Sequence, residues 1–202
     1  KNGKAVTGFD GKELLEDGDV MSIAQHYSNN GADELLIFDL SDDDADHEQS
    51  LNLIRQISRV IDIPMSGGGH IKNLEDVKKL LYAGCQQVFL NYAKAVNIEL
   101  TEEVSKRFGK EKIAICTDSF AQLQANKARV NEYTSRVILL CDEVDVRTTA
   151  RLVEVPVLPV STRADRHGLL KLLMLDNICG VCGDTFSDLN EDLMAAKLEA
   201  KK

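Results

Sequence analysis

Short apolar, β-rich runs alternate with longer amphipathic ones from residue 34 to residue 198, and no other feature limits the fold of this chain as tightly. Glu34–Asp39 (ELLIFD) reads as a strand and His47–Ile61 as a helix. Ile63–Ser66 is a strand and Asn73–Ala83 a helix, with Asn73 as N-cap and Asp76 three residues on, a variant of the capping box. The unit then repeats. Gln87–Asn91 precedes a helix near Glu99–Phe108, Ile113–Thr117 a polar one near Ala121–Asn131, and Val137–Cys141 a weak one near Val146–Val153. Val157–Val160, Ala164–Leu175, Ile178–Cys182 and Leu189–Leu198 complete the series, so seven strands are expected. Such alternation implies a parallel sheet covered by helices, the α/β class.

Upstream lie an amphipathic helix, Val20–Asn29, and an extended stretch, Lys4–Phe9. One further strand, expected just before Lys1, would close the sheet, which gives a (βα)8 TIM-like barrel lacking its first strand at the N-terminus. A seven-stranded open doubly wound sheet is the rival architecture, because strand number alone does not separate the two. Gly31, Gly84 and Gly109 each stand between a helix and a strand, where a left-handed residue is expected, and need no functional explanation. With 202 residues and neither a low-complexity segment nor a linker-like stretch, residues 1–202 are expected to form a single domain.

A net charge of −9 without any Lys/Arg-rich block argues against a nucleic-acid partner, whose phosphates call for a basic face. An anionic small molecule would then have to be held by backbone N–H groups and helix ends. No apolar run approaches the roughly 20 residues of a membrane-spanning helix, and Lys1-Asn2-Gly3-Lys4 does not lead into a signal-peptide core. A cytoplasmic protein with no membrane partner is therefore expected. Cys85, Cys116 and Cys141 sit in apolar stretches and read as small buried hydrophobes in a reducing compartment. Cys179-Gly-Val-Cys182 alone has a suggestive spacing; with no second pair and no clustered histidines, neither a metal nor a cofactor is expected.

The sharpest local feature is Ser66-Gly67-Gly68-Gly69 at the carboxyl end of a strand, leading through His70-Ile71-Lys72 into the next helix. Without Cβ atoms, Gly67, Gly68 and Gly69 can approach an anion closely and point N–H groups at phosphate oxygens; the bland alternative is a flexible turn. Carboxylates recur at strand ends: Asp39, Asp118 and Asp142. An aspartate there is a candidate general acid or base. Asp118 stands alone, whereas Asp39 begins an acidic run that would equally serve the next helix N-terminus. Asn91 offers a donor and an acceptor to a ligand, or caps its own loop. His26, His47, His70 and His167 share no spacing that points to a triad or a metal face, and read as surface or helix-end residues.

Taken together, GADELLIFDL, IPMSGGGHIKNLEDVKKLLYAG, VFLNYAKAV and SKRFGKEKIAICTD resemble the first five strands of the histidine-biosynthesis barrel family. That family comprises the cyclase subunit of imidazole glycerol phosphate synthase and the phosphoribosyl-formimino isomerase. The likeness runs from Lys1 to about Asp118 in order and with nearly the family's spacing. It implies a (βα)8 barrel whose substrate carries two phosphates, with one aspartate ending the first strand and one ending the fifth as acid and base. Asp118 matches the fifth-strand catalytic Asp, Gly67, Gly68 and Gly69 the third-strand phosphate loop, Asn91 the fourth-strand Asn and Asp39 the second-strand Asp. The first-strand aspartate would lie upstream of Lys1.

The chain also departs from the family. Ser119-Phe120 stand where a Lys or Arg usually follows the catalytic Asp, and VLPVSTRADRHG has no glycine before Gly168 where the second phosphate loop is expected. Beneath the barrel, Glu34 matches the acid of the cyclase gate, but Gln87 stands where a Lys is expected. The resemblance implies a barrel that binds a phosphorylated ribosyl-imidazole small molecule and, if active, acts as a cyclase (a lyase) or a sugar isomerase, with a fused or separate histidine-pathway enzyme as partner. The alternative is a lapsed barrel serving as a binding or scaffold module. The pattern is similar, too, to the barrel-like extension that precedes the catalytic domains in some bifunctional phosphoribosyl-AMP cyclohydrolase / phosphoribosyl-ATP pyrophosphohydrolases.

Overall fold

The computed structural model describes residues 1–8, 11, 13–14, 19–140, 145–160 and 166–183. Strands β1 (Val6–Thr7) and β2 (Glu13–Leu14) pair antiparallel and are followed by α1 (Val20–Asn29). There follow β3 (Leu35–Phe38), α2 (Asp44–Ile57), β4 (Met65–Gly68), α3 (Leu74–Tyr82), β5 (Gln87–Asn91), α4 (Ala95–Phe108) and β6 (Ile113–Thr117). Two short helices, α5 (Phe120–Ala125) and α6 (Lys127–Tyr133), then β7 (Arg136–Leu140), α7 (Val146–Leu152), β8 (Val157–Val160) and α8 (Arg166–Leu173) complete the described elements.

All five pairings from β3 to β8 are parallel, and the spatial order is the chain order, β3-β4-β5-β6-β7-β8. A doubly wound sheet reverses its strand order at a switch point, so this monotonic order excludes the open rival. The six strands curl into a half-barrel with helices alternating between them, the arrangement of a (βα)8 TIM-like barrel with some elements missing. Beyond β8, the expected strand Ile178–Cys182 is reduced to two isolated parallel bridges, Val157↔Ile178 and Val160↔Cys182. The partner segment needs one more residue than β8 between the same two bridges, a bulge that falls around Gly180. The expected helix Leu189–Leu198 lies outside the described residues.

Local chemistry explains where element ends differ from the sequence expectation. Helix α2 starts at Asp44 rather than His47, because the Asp43 carboxylate accepts from the Asp46 amide and Asp44 and Asp46 load the first turn with negative charge. Asn73 caps α3 in a complete capping box, its side chain accepting from the Asp76 amide while Asp76 accepts from the Asn73 amide. The helix expected over Ala121–Asn131 breaks at Asn126, whose ψ of 12° ends one turn and starts the next. Strand β4 is displaced toward the glycines: it begins after Pro64, which cannot donate to a ladder, and takes in Gly67 and Gly68.

Side chains alternate across the sheet. Leu35, Ile37, Val88, Leu90, Ile113, Ile115, Val137, Leu139 and Val157 pack against the helix layer. Leu36, Phe38, Phe89, Ala114, Cys116, Ile138, Leu140, Leu158 and Val160 fill the interior of the half-barrel. Among the described residues, no helix is long and apolar enough to cross a membrane.

Candidate functional site

Because the strands are parallel, their carboxyl ends lie along one rim. The register Phe38↔Gly68↔Phe89 puts Asp39, Gly69 and the end of β5 side by side, and Asn91↔Cys116 brings Asp118 to the same rim two residues past Cys116. Four of the strand-end positions singled out from the sequence therefore share an edge, but their side chains do not share a direction.

The glycine triplet divides by position. Gly67 and Gly68 are buried within β4. A Cβ on Gly67 would stand 2.7 Å from the Cys85 Sγ, and one on Gly68 would stand 2.3 Å from the Phe89 ring. Both glycines are thus explained by packing. Gly69 begins the loop, with φ +104°, and a Cβ there would meet the Asp39 carbonyl oxygen at 2.1 Å. His70 follows, also left-handed at φ +51°. Among the described residues, the amides of Gly69, His70 and Ile71 donate to no acceptor, whereas those of Lys72 and Asn73 are taken by Asp76. Three successive N–H groups in a half-buried loop form a set of donors that suits an oxyanion.

Asp118 continues the interior-facing alternation of Ala114 and Cys116, so it stands at the mouth of the half-barrel, exposed to solvent. Burial, with Asp118 adding to it, pushes the Cys116 thiol up to about 12, so this cysteine is an inert wall. Asn91 turns its Oδ1 back to the Ala93 amide at 2.9 Å, the loop-capping role, while its Nδ2 has no acceptor among the described residues. Asp142 lies outside the described residues.

Asp39 faces the other way. Its alternation with Leu35 and Ile37 sends it to the helix side, where it is buried against α2. There His47 Nδ1 lies 2.5 Å from Oδ2, and the Ser41 amide and hydroxyl reach Oδ1 at 3.0 and 2.5 Å. Burial pushes this carboxyl up, but the bonds from His47 and Ser41 outweigh it and hold it below the usual carboxylate range. Asp39 fastens the loop between β3 and α2. His47 and His70, read from the sequence as surface or helix-end residues, are buried instead: His47 is 3% exposed and the His70 side chain 8%. His47 falls with Leu51 and Ile54 on the buried stripe of α2, a spacing that could have revealed it.

At the opposite, amino end of the strands a polar network spans the interior. Arg136 binds both oxygens of Glu34, donates to the Ser66 hydroxyl at 3.1 Å and gives its Nε–H to Gln87 Oε1 at 2.6 Å. Gln87 in turn donates to the Ser135 hydroxyl at 2.7 Å and to the Glu111 carbonyl at 3.0 Å. Burial raises the Glu34 carboxyl, and the Arg136 and Ser66 bonds more than reverse that. Arg136 escaped the sequence reading; its signal is a lone cation opening the apolar strand RVILL. A cavity of about 690 Å³ opens above this network between β3 and residues 179–183, where the sheet does not close; it is separate from the Gly69 loop.

A model of the family described as "Histidine biosynthesis protein" matches residues 1–176. Among curated relatives, the imidazole glycerol phosphate synthase subunit HisF of Flavobacterium psychrophilum is 34% identical over 119 residues, covering 59% of this chain and 47% of that protein. The HisF subunit of Haemophilus influenzae is 32% identical over 151 residues, covering 74% and 55%. That of Wolinella succinogenes is 33% identical over 133 residues, covering 66% and 52%. The chain spans about half the length of the curated relatives it matches.

Proposed function

Since this chain belongs to the histidine biosynthesis protein family, we propose that its carboxyl rim binds a phosphorylated ribosyl-imidazole precursor, with one phosphate on the amides of Gly69, His70 and Ile71. The observation that carries the reading is the run of three N–H groups at the strand end that, with the Asn91 Nδ2, meet no acceptor among the described residues. Such donors stabilise an oxyanion with no net positive charge on the protein, which suits a chain of charge −9.

Asp118 stands exposed at the barrel mouth with no hydrogen-bond partner for its carboxylate among the described residues, the placement a proton-transfer group needs during ring closure or sugar isomerisation. A second acid or base is required for such chemistry, and Asp39 is unsuited to it, being turned away and saturated by His47 and Ser41. The names of the relatives describe a subunit of a synthase, and we propose in the same way that this barrel works against another histidine-pathway protein.

The test is a titration of the 202-residue chain with inorganic phosphate and ribose 5-phosphate, followed by amide NMR. The Gly69, His70 and Ile71 signals should move together and saturate, and Asn91→Ala should weaken the binding. No saturable shift at these three amides would refute the phosphate site.

A further inference from the structure

Of Gly69, His70 and Ile71, His70 alone carries a titratable side chain, 8% exposed, and its surroundings fix more than its position. Its Nδ1 lies 3.1 Å from the Ser41 carbonyl oxygen and its Nε2 lies 2.7 Å from Asp44 Oδ1. A carbonyl oxygen and a carboxylate accept and never donate, so each ring nitrogen must carry a hydrogen for both contacts to be bonds. Asp44 stays ionised: hydrogen bonds from Lys72 and His70 hold its carboxyl down at about 2.

The neighbouring ring is arranged in the complementary way. His47 stacks on His70 with centroids 4.8 Å apart and planes at 23°. Its Nδ1 faces the Asp39 carboxylate and so donates, while its Nε2 is buried without a hydrogen-bond partner among the described residues. A second hydrogen on that nitrogen would have no acceptor, so His47 presents a neutral ring whose π-face can lie against a cation. The charged groups around the His70 ring are Asp44 from α2 and Lys72 from its own loop, with Asp39 behind His47.

We propose that His70 is held as an imidazolium and lends its positive charge to the oxyanion bound by the amides of its own loop, with His47 as the neutral ring that shields it. This rests on the phosphate reading above and adds the source of charge to it. His70 acts here as a positioning and electrostatic residue, since its ring is committed to Ser41 and Asp44 and does not reach the anion itself.

The experiment uses the full chain at pH 7. Long-range proton–nitrogen NMR of the four histidines should show one ring protonated at both nitrogens and in contact with a second, singly protonated ring. His70→Asn, which tolerates a left-handed backbone, should remove that signal and weaken inorganic phosphate binding by about tenfold. A singly protonated His70 in the wild type overturns the proposal without any variant. So does phosphate binding of equal strength in wild type and His70→Asn, and in that case the amide site still stands. Absence of phosphate binding in a wild type whose His70 is doubly protonated instead refutes the phosphate reading, and the role proposed for the charge falls with it.

Discussion

Replacing Arg136 by Met would measure how much of the fold depends on the polar network at the amino end of the strands. Met keeps the apolar stem and removes every guanidinium donor, so Glu34 loses both of its Arg136 bonds while Ser66 and Gln87 each lose one. Breaking one side of a buried ion pair costs about 3–5 kcal/mol, whereas an exposed pair contributes about 0–1 kcal/mol. The Arg136 and Glu34 side chains are 15% and 25% exposed, nearer the first limit than the second. A loss of about 2–3 kcal/mol is expected on that basis, read by urea unfolding at pH 7.

The pH dependence adds a second constraint. The folded-state carboxyl of Glu34 lies below its ordinary value, so its stabilisation is complete above the carboxylate range and is lost as pH falls through it. Wild type and Arg136→Met should accordingly differ most near neutrality and converge as pH falls through and below the ordinary carboxylate range. Adding Glu34→Gln to Arg136→Met removes the stranded charge and should restore at least about 1 kcal/mol. An Arg136→Met protein within about 0.5 kcal/mol of wild type at pH 7, or a double variant as unstable as the two single losses added, would refute the reasoning.

Gly68→Ala drives a methyl group against the Phe89 ring and its backbone carbonyl oxygen and should lower stability by about 1–3 kcal/mol; because the carbonyl contact remains, Phe89→Leu in the same chain should not restore it, and thermal melting reads both. Asn73→Ala removes the cap of α3 and should cost about 1 kcal/mol in urea unfolding, without altering phosphate binding. Asp39→Asn deprives His47 and Ser41 of a carboxylate and should destabilise by about 1–3 kcal/mol at pH 7. Since the Asp39 carboxyl is also held below its ordinary range, that difference should shrink on acidification. Asp118→Asn should unfold within about 0.5 kcal/mol of wild type, so that any change it makes in a turnover assay is chemical and not structural.

The helix and strand periodicities made most of the architecture legible, because each strand buries alternate residues and each helix a single stripe. Gln87–Asn91, Ile113–Thr117 and Val157–Val160 were readable to the residue, since polar residues or turns bound each apolar run. Strand β4 was misplaced by two residues because glycines have low strand propensity, and only the partners of Gly67 and Gly68 make them strand residues. The site was half legible. Strand ends could be located, but whether an end residue faces the interior or the helices depends on parity, which separates Asp118 from Asp39. The burial of His47 could be read from the α2 stripe, but its stacking on His70 and the partners of Arg136, up to 102 residues away in the chain, lie beyond the reach of a local pattern.

The six parallel strands, each only four or five residues long, separate two demands on the molecule. The Arg136 network ties the strands together at their amino ends, the proposed ligand site lies at their carboxyl ends, and apolar layers separate the two. Positions on the outer edge that make no such anchor, Asp118 among them, can therefore change without loosening the scaffold, so that chemistry and shape need not alter together.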